Sequence, residues 1–141
     1  MTVSDTRTPE TDSSGNVLAE RIEKAGHKLA ARTIVSDDVQ MIRNQLLAWI
    51  ADDRIDIVIS TGGTGLTGRD VTPEAFKSVY EKEIDGFSAI FHRVSFEKIG
   101  TSTIQSRATA GVAHGTYLFA LPGSPNACKD GWDEILQHQL D

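Results

Sequence analysis

The residues in this chain best suited to chemistry are a glycine-rich run and two aspartates. The run, Thr61-Gly62-Gly63-Thr64-Gly65-Leu66-Thr67-Gly68-Arg69-Asp70, holds four glycines, three threonines, one arginine and one aspartate. Such a segment offers little to a core, but its backbone N–H groups can wrap around an anion such as a phosphate. Asp70 stands at its far end, and Asp37 follows another apolar segment, Leu29–Val35. Magnesium binds through one or two carboxylates plus substrate oxygens. Asp37 and Asp70 together could therefore hold a Mg²⁺ that offsets charge during phosphoryl or nucleotidyl transfer. Each also has a plainer role open to it: Asp37 as a helix cap, Asp70 as a partner of Arg69 or a cap of the next helix. Arg69 and Arg107 are the candidate cationic contacts; Arg107, beside Ser106, either binds phosphate bidentately or lies on the surface.

Three commoner meanings of the glycine run compete. Gly63-x-Gly65-x-x-Gly68 matches the dinucleotide fingerprint literally. There, however, the helix opens within the glycines, and an acidic residue ends the next strand. Here Thr72-Pro73 delays the helix and the sequence downstream reads as helical. A P-loop needs Lys-Ser/Thr after its last glycine, and this chain has Arg69-Asp70. A plain strand–helix connection would need glycine only where φ is positive, and loops of this density usually bind something.

The elements that must position these residues alternate between strand and helix. Ile55–Ser60, apolar on both faces, reads as a central parallel strand leading into the glycine run. Before it, Thr2-Val3 reads as the end of a strand, and Gly15–Ala25 as a helix capped by Ser13 or Ser14 with Gly26 at its C′ position. Lys28–Val35 reads as a strand, and Ser36-Asp37-Asp38 caps a helix carrying Val39, Ile42, Leu46, Trp49 and Ile50 on one face. Thr72-Pro73 starts the next helix, with Phe76, Val79 and Tyr80 inward and Gly86 as its breaker. Phe87 to Phe96 predicts a further helix ending near Gly100. Tyr117–Leu121 is a buried strand, Pro122-Gly123-Ser124-Pro125 a sharp turn, and Asn126–Leu140 the final helix. This pattern predicts a mostly parallel sheet with helices on both faces. Ligands then bind outside the carboxyl ends of the strands, where the loops Ser4–Gly15, Ser36–Asp38, Thr61–Asp70 and Pro122–Asn126 lie.

The 141 residues suffice for one domain, and 39% hydrophobic with 24% charged residues is ordinary for a soluble protein. A net charge of −6 argues against nucleic-acid or membrane-surface binding. It also requires that any anion site draw its positive potential from backbone, arginine or metal. A single cysteine, Cys128, excludes an internal disulfide and fits a reducing cytoplasm; with Trp49 and Trp132 it reads as core. His27, His92, His114 and His138 share no metal-ligand spacing.

With these residues in view, Thr61-Gly62-Gly63-Thr64-Gly65-x-Thr67-x-Arg69-Asp70-Val71-Thr72-Pro73-Glu74-Ala75 resembles the signature of the molybdopterin-binding (MoaB/Mog) family of molybdenum cofactor biosynthesis. The likeness continues through Ser4-Asp5-Thr6, Asp37-Asp38, Gly86-Phe87, Ser106-Arg107 and Leu121-Pro122-Gly123-Ser124-Pro125-Asn126. Ser95–Thr103 resembles the B-type branch. The resemblance implies one molybdopterin-binding domain over residues 1–141, a three-layer α/β/α sandwich around a mostly parallel sheet, with the first strand and the C-terminal tail abridged. It implies trimers or hexamers, and the apolar Phe87–Phe96 helix is expected to contribute an interface. It also implies a molybdopterin adenylyltransferase that uses Mg²⁺ and ATP to join AMP to the terminal phosphate of molybdopterin, releasing pyrophosphate. The alternative is a non-catalytic molybdopterin carrier or scaffold in the same pathway, exchanging pterin with other molybdenum cofactor enzymes. Asp37 and Asp70 correspond to the family's catalytic aspartates and are the expected Mg²⁺ ligands. Gly62, Gly63, Thr64 and Gly65 are expected to cradle the pterin phosphate with Thr61 and Arg69, while Ser4, Asp5, Ser106, Arg107, Gly123 and Ser124 line the rest of the pocket.

Overall fold

The structure, a computed structural model, describes residues 1–140. Six strands form one sheet: β1 (Thr2–Val3), β2 (Ile34–Val35), β3 (Ile57–Thr61), β4 (Lys82–Glu83), β5 (Thr109–Ala113) and β6 (Thr116–Leu121), in the order β2-β1-β3-β6-β5-β4. The first four in that order run parallel, and β5 and β4 complete the sheet antiparallel. The long β3–β6 ladder pairs Ile57 with Tyr117 through to Thr61 with Leu121. Five helices, α1 (Ser13–Lys24), α2 (Val39–Ile50), α3 (Thr72–Lys77), α4 (Asp85–Ile99) and α5 (Pro125–Glu134), cover the sheet, with 3-10 turns at Gly100–Gln105 and Leu136–His138.

Alternation along the strands makes two cores. Val58, Leu118 and Ala120 point to one face, against Ile42 and Leu46 of α2 and Ala75 and Phe76 of α3. Phe119 and Leu121 point to the other, against Leu18 of α1, Phe87 and Phe91 of α4, and Cys128 and Trp132 of α5. A strand buried on both faces has no polar side to show, which is why Ile57–Ile59 reads as an unbroken apolar run. The result is the expected three-layer α/β/α sandwich. Cys128 and Trp132 are core residues as expected, and Trp49 packs against the core half-buried.

Several local expectations are corrected. The cap of α1 is Asp12, whose carboxylate accepts from the Gly15 amide at 3.0 Å, not Ser13 or Ser14. Asp38, not Asp37, caps α2. The Lys28–Val35 strand shrinks to Ile34–Val35, paired only with the equally short β1. Thr72 does not cap α3: its hydroxyl donates to Gly62 O at 2.8 Å, and Pro73 sits in the first turn. α3 ends at Lys77, so Gly86 breaks nothing and lies in the first turn of α4. Gly100, at φ +63°, does end α4 as expected. The final helix stops at Glu134 and a 3-10 turn follows.

Candidate active site

Four loops leave the carboxyl ends of four adjacent parallel strands, so Ser4–Asp5, Ser36–Asp37, the 61–71 loop and Pro122–Ser124 meet at one sheet edge. The glycine run is held there from both sides. Gly62 N donates to Leu121 O at 3.0 Å, the Thr61 hydroxyl to Pro122 O at 2.8 Å, and Thr72 N to Gly63 O at 3.0 Å. Gly62 and Gly63 adopt φ of +102° and +73°, conformations that disfavour any side chain. Space is just as tight: a Cβ on Gly62 would lie 2.3 Å from Val3 O, and one on Gly63 would lie 2.2 Å from the Thr72 hydroxyl oxygen. Among the described residues, the Gly63 and Thr64 amides donate to no protein acceptor.

The two aspartates flank this cradle. A Cβ on Gly63 would come within 3.3 Å of Asp37 Oδ1, and one on Gly65 within 2.7 Å of Asp70 Oδ2. Asp37 is fixed by a reciprocal pair: its amide donates to Asp5 Oδ1 and its Oδ2 accepts from the Asp5 amide, both at 3.0 Å. Adjacency of β1 and β2 makes this ring possible, since each aspartate stands two residues past its strand. Burial is the main cause that raises the Asp37 pKa above the ordinary carboxylate value, and the charges of Asp5 and Asp70 add to it. Asp5 moves the other way, lowered first by the Asp37 amide and then by Arg69. Arg69 forks both Nε and Nη2 onto Asp5 Oδ2, so its partner is Asp5 rather than Asp70.

Asp70 is held from within its own loop. Its carboxylate accepts from the Thr67 amide at 2.9 Å and the Thr67 hydroxyl at 2.7 Å. Partial burial pushes its carboxyl up, but the Thr67 bonds, the Gly65 amide and the charge of Arg107 together outweigh this and leave its pKa below the ordinary value. Arg107 approaches the same loop from the strand β5 side. It donates to Gly65 O and Asp70 O and pairs with Glu74.

The remaining predicted residues divide. Ser4 accepts from the Thr6 and Arg7 amides and so shapes the loop after β1. Ser124 caps α5 through the Ala127 amide. Gly123 closes on the cradle, where a Cβ would lie 3.2 Å from Gly62 Cα, and its carbonyl accepts from Ser14. Ser106 lines a cavity of about 650 Å³ with Pro73, Lys77, His92, Ile104 and Arg107. A second cavity, of about 320 Å³, is lined by Leu18, Ile22, Trp49 and Trp132, and neither Asp37 nor Asp70 borders it.

Comparison with known proteins shows the family of the chain. The whole chain, residues 1–141, matches the family described as a probable molybdopterin binding domain. The chain belongs to this family. It is 48% identical over 141 residues to molybdenum cofactor biosynthesis protein B of Escherichia coli K12, covering 100% of this chain and 83% of that one. The Bacillus subtilis protein of the same name is 44% identical, with 99% and 83% covered. A crystal structure of a molybdenum cofactor biosynthesis protein B superposes with a TM-score of 0.95 at 41% identity, covering 99% of this chain and 87% of that one. The tungsten cofactor synthesizing protein MoaB of Pyrococcus furiosus gives 0.85 at 36% identity, with 98% and 88% covered.

Within this molybdopterin-binding domain, three residues shape the site without having been singled out for it in the sequence. Thr72 braces the Gly62–Gly63 turn, Thr67 holds Asp70, and Glu74 completes the contacts of Arg107. Thr67 had a local signal, because threonine three residues before aspartate is a spacing at which hydroxyl and carboxylate meet in a turn. Glu74 had none, because its partner lies 33 residues away.

Proposed function

We propose that this chain acts in molybdenum cofactor biosynthesis and that its reaction is adenylylation of molybdopterin. The observation that carries the reading is the convergence of two carboxylates from different strands on one glycine cradle. In the reaction, an oxygen of the pterin's terminal phosphate attacks the α-phosphorus of ATP. The bond from that phosphorus to the bridging oxygen breaks, and pyrophosphate leaves with the electron pair.

This chain's residues divide the work. The Gly63 and Thr64 amides offer donors to the pterin phosphate, on a turn whose positive φ values leave the backbone bare. Arg69, exposed and paired with Asp5, is a cation of the same loop that can turn toward an incoming anion. Asp37 and Asp70 would hold a Mg²⁺. The donor set fits that ion, because it supplies hard carboxylate oxygens and leaves further positions to substrate oxygens and water. When bound, Mg²⁺ neutralises charge on the phosphates of ATP. The cavity beside Ser106 has a volume in the range typical of small-molecule sites, about 300–1,000 Å³; Arg107 lines it, while Asp37, Asp70 and the glycines of the cradle do not.

The exposed apolar residues of α4 and the turn after it, Ile90, Phe96, Ile99 and Ile104, support a homo-oligomer, a trimer or hexamer, built through that face. The free, buried thiol of Cys128 accords with the cytoplasm. Among the described residues no helix is long and apolar enough to cross a membrane.

The test is incubation of the purified protein with molybdopterin, ATP and Mg²⁺. Stoichiometric pyrophosphate release supports the enzyme. Pterin binding without release supports the carrier instead.

A further inference from the structure

Among the described residues, every hydrogen bond and ion pair of Arg107 runs to one segment, residues 64–74. Its amide donates to Thr64 O at 3.0 Å. Its Nε donates to Gly65 O at 2.9 Å, its Nη2 donates to Asp70 O at 2.8 Å, and its Nη1 pairs with the Glu74 carboxylate. Gly65 and Asp70 stand on either side of the bend through Leu66–Arg69, so the guanidinium spans the neck of that bend. This use needs an arginine. A planar fork can satisfy several acceptors in fixed directions, whereas a lysine ammonium is a single point of charge.

The bend carries Asp70. Inside it, Asp70 N donates to Thr67 O at 3.0 Å, and the Asp70 carboxylate takes the Thr67 amide and hydroxyl. The carboxylate is thus locked from within the bend, while the two carbonyls are locked from outside it by Arg107. Glu74, at the start of α3, ties the same guanidinium to the helix that follows.

We infer that Arg107 is a positioning residue for Asp70: it clasps the Gly65–Asp70 bend so that the Asp70 carboxylate stays at the glycine cradle, and it does not bind the anionic substrate. This replaces the expectation that Arg107 is a phosphate ligand. The consequence for catalysis rests on the adenylylation reading, while the clasp itself does not.

Two measurements on Arg107→Lys keep those apart. The first is hydrogen exchange at the amides of residues 65–71. The clasp predicts exchange faster by about tenfold or more there, with the β3–β6 ladder unchanged; unaltered protection in the loop overturns the inference whatever the activity. The second is steady-state pyrophosphate release. A positioning role predicts a kcat lowered by about tenfold or more with KM for molybdopterin within about twofold. A KM raised by about tenfold with kcat intact would make Arg107 a ligand and overturn the inference. Should the wild-type protein release no pyrophosphate, the adenylylation reading fails, and the exchange result still decides the clasp. Should Arg107→Lys not fold, Glu74→Ala removes one acceptor of the same guanidinium. Faster exchange at the same amides in that variant supports the clasp, and unchanged exchange overturns it.

Discussion

Glycine at position 63 is demanded twice over, by its φ of +73° and by the Thr72 hydroxyl oxygen that would lie 2.2 Å from a Cβ. Gly63→Ala forces a side chain into the left-handed region and displaces the hydroxyl that braces Gly62. Backbone strain of this kind costs about 1–3 kcal/mol, and urea denaturation is expected to show a lowered midpoint with an unchanged slope. A midpoint equal to wild type would mean that the turn relaxes freely and is not the rigid cradle described. The same turn also shows what single residues reveal from sequence. The density of glycines marked this loop as a candidate site, because few other demands explain so many residues without side chains. The partners of Asp5, Asp37 and Arg107 were not legible, because each is fixed by a residue 32 to 42 positions away. The Arg69–Asp5 pair spans 64. Only the strand order creates these contacts, and no local spacing encodes them.

At the scale of elements, α1 is anchored through Asp12. This carboxylate is 1% exposed; it caps the helix through the Gly15 amide, accepts from the Thr2 hydroxyl of β1 at 2.7 Å and pairs with Arg32 at 3.1 Å. Burial alone would raise its pKa, but the bonds from Thr2, Gly15 and Arg32 outweigh that and lower it. Because the folded value lies below the ordinary value of 3.8, the resulting stabilisation is present in full above that pH. It is lost as the pH falls through the lower folded value. Asp12→Ala removes a cap and the buried acceptor of the Thr2 hydroxyl, a combined loss of about 1–4 kcal/mol. The variant should unfold at lower denaturant and lose much of the wild type's stability decline on acidification below about pH 4. An acid-unfolding profile parallel to that of wild type would show that Asp12 is not the linkage. The long elements were legible because their apolar periodicity is strong: α2, α4, β3 and β6 all lie close to their expected positions. β4 and β5 were not. Lys82-Glu83 is a two-residue, exposed, charged edge strand, and Thr109–Ala113 is made of small residues that give no amphipathic pattern.

For the whole molecule, the sheet edge that gathers the four loops is the proposed active face, and the apolar side of α4 is the proposed assembly face. Phe96 and Ile99 are 55% and 53% exposed in the single chain, and an apolar patch of this kind is a candidate interaction surface. Phe96→Glu sets a charge in the middle of that patch. Sedimentation should then show the mass falling from trimer or hexamer toward the 15.3 kDa chain, with secondary structure retained. A wild-type protein already monomeric, or a variant that assembles as before, would place the interface elsewhere. The sandwich architecture itself follows from the alternation of strands and helices. The lateral order β2-β1-β3-β6-β5-β4 does not, because pairing partners are chosen by tertiary packing.

The proposed chemistry has the two carboxylates at one glycine cradle acting on the pterin phosphate. Its most direct test is pyrophosphate release from molybdopterin, ATP and Mg²⁺ by the wild-type protein and by Asp70→Asn, with pterin binding followed in parallel. The prediction is turnover by the wild type, and in the variant a rate lowered by about 10²-fold or more with pterin affinity kept. Turnover by Asp70→Asn at the wild-type rate, or pterin binding by the wild type with no pyrophosphate released, would contradict it.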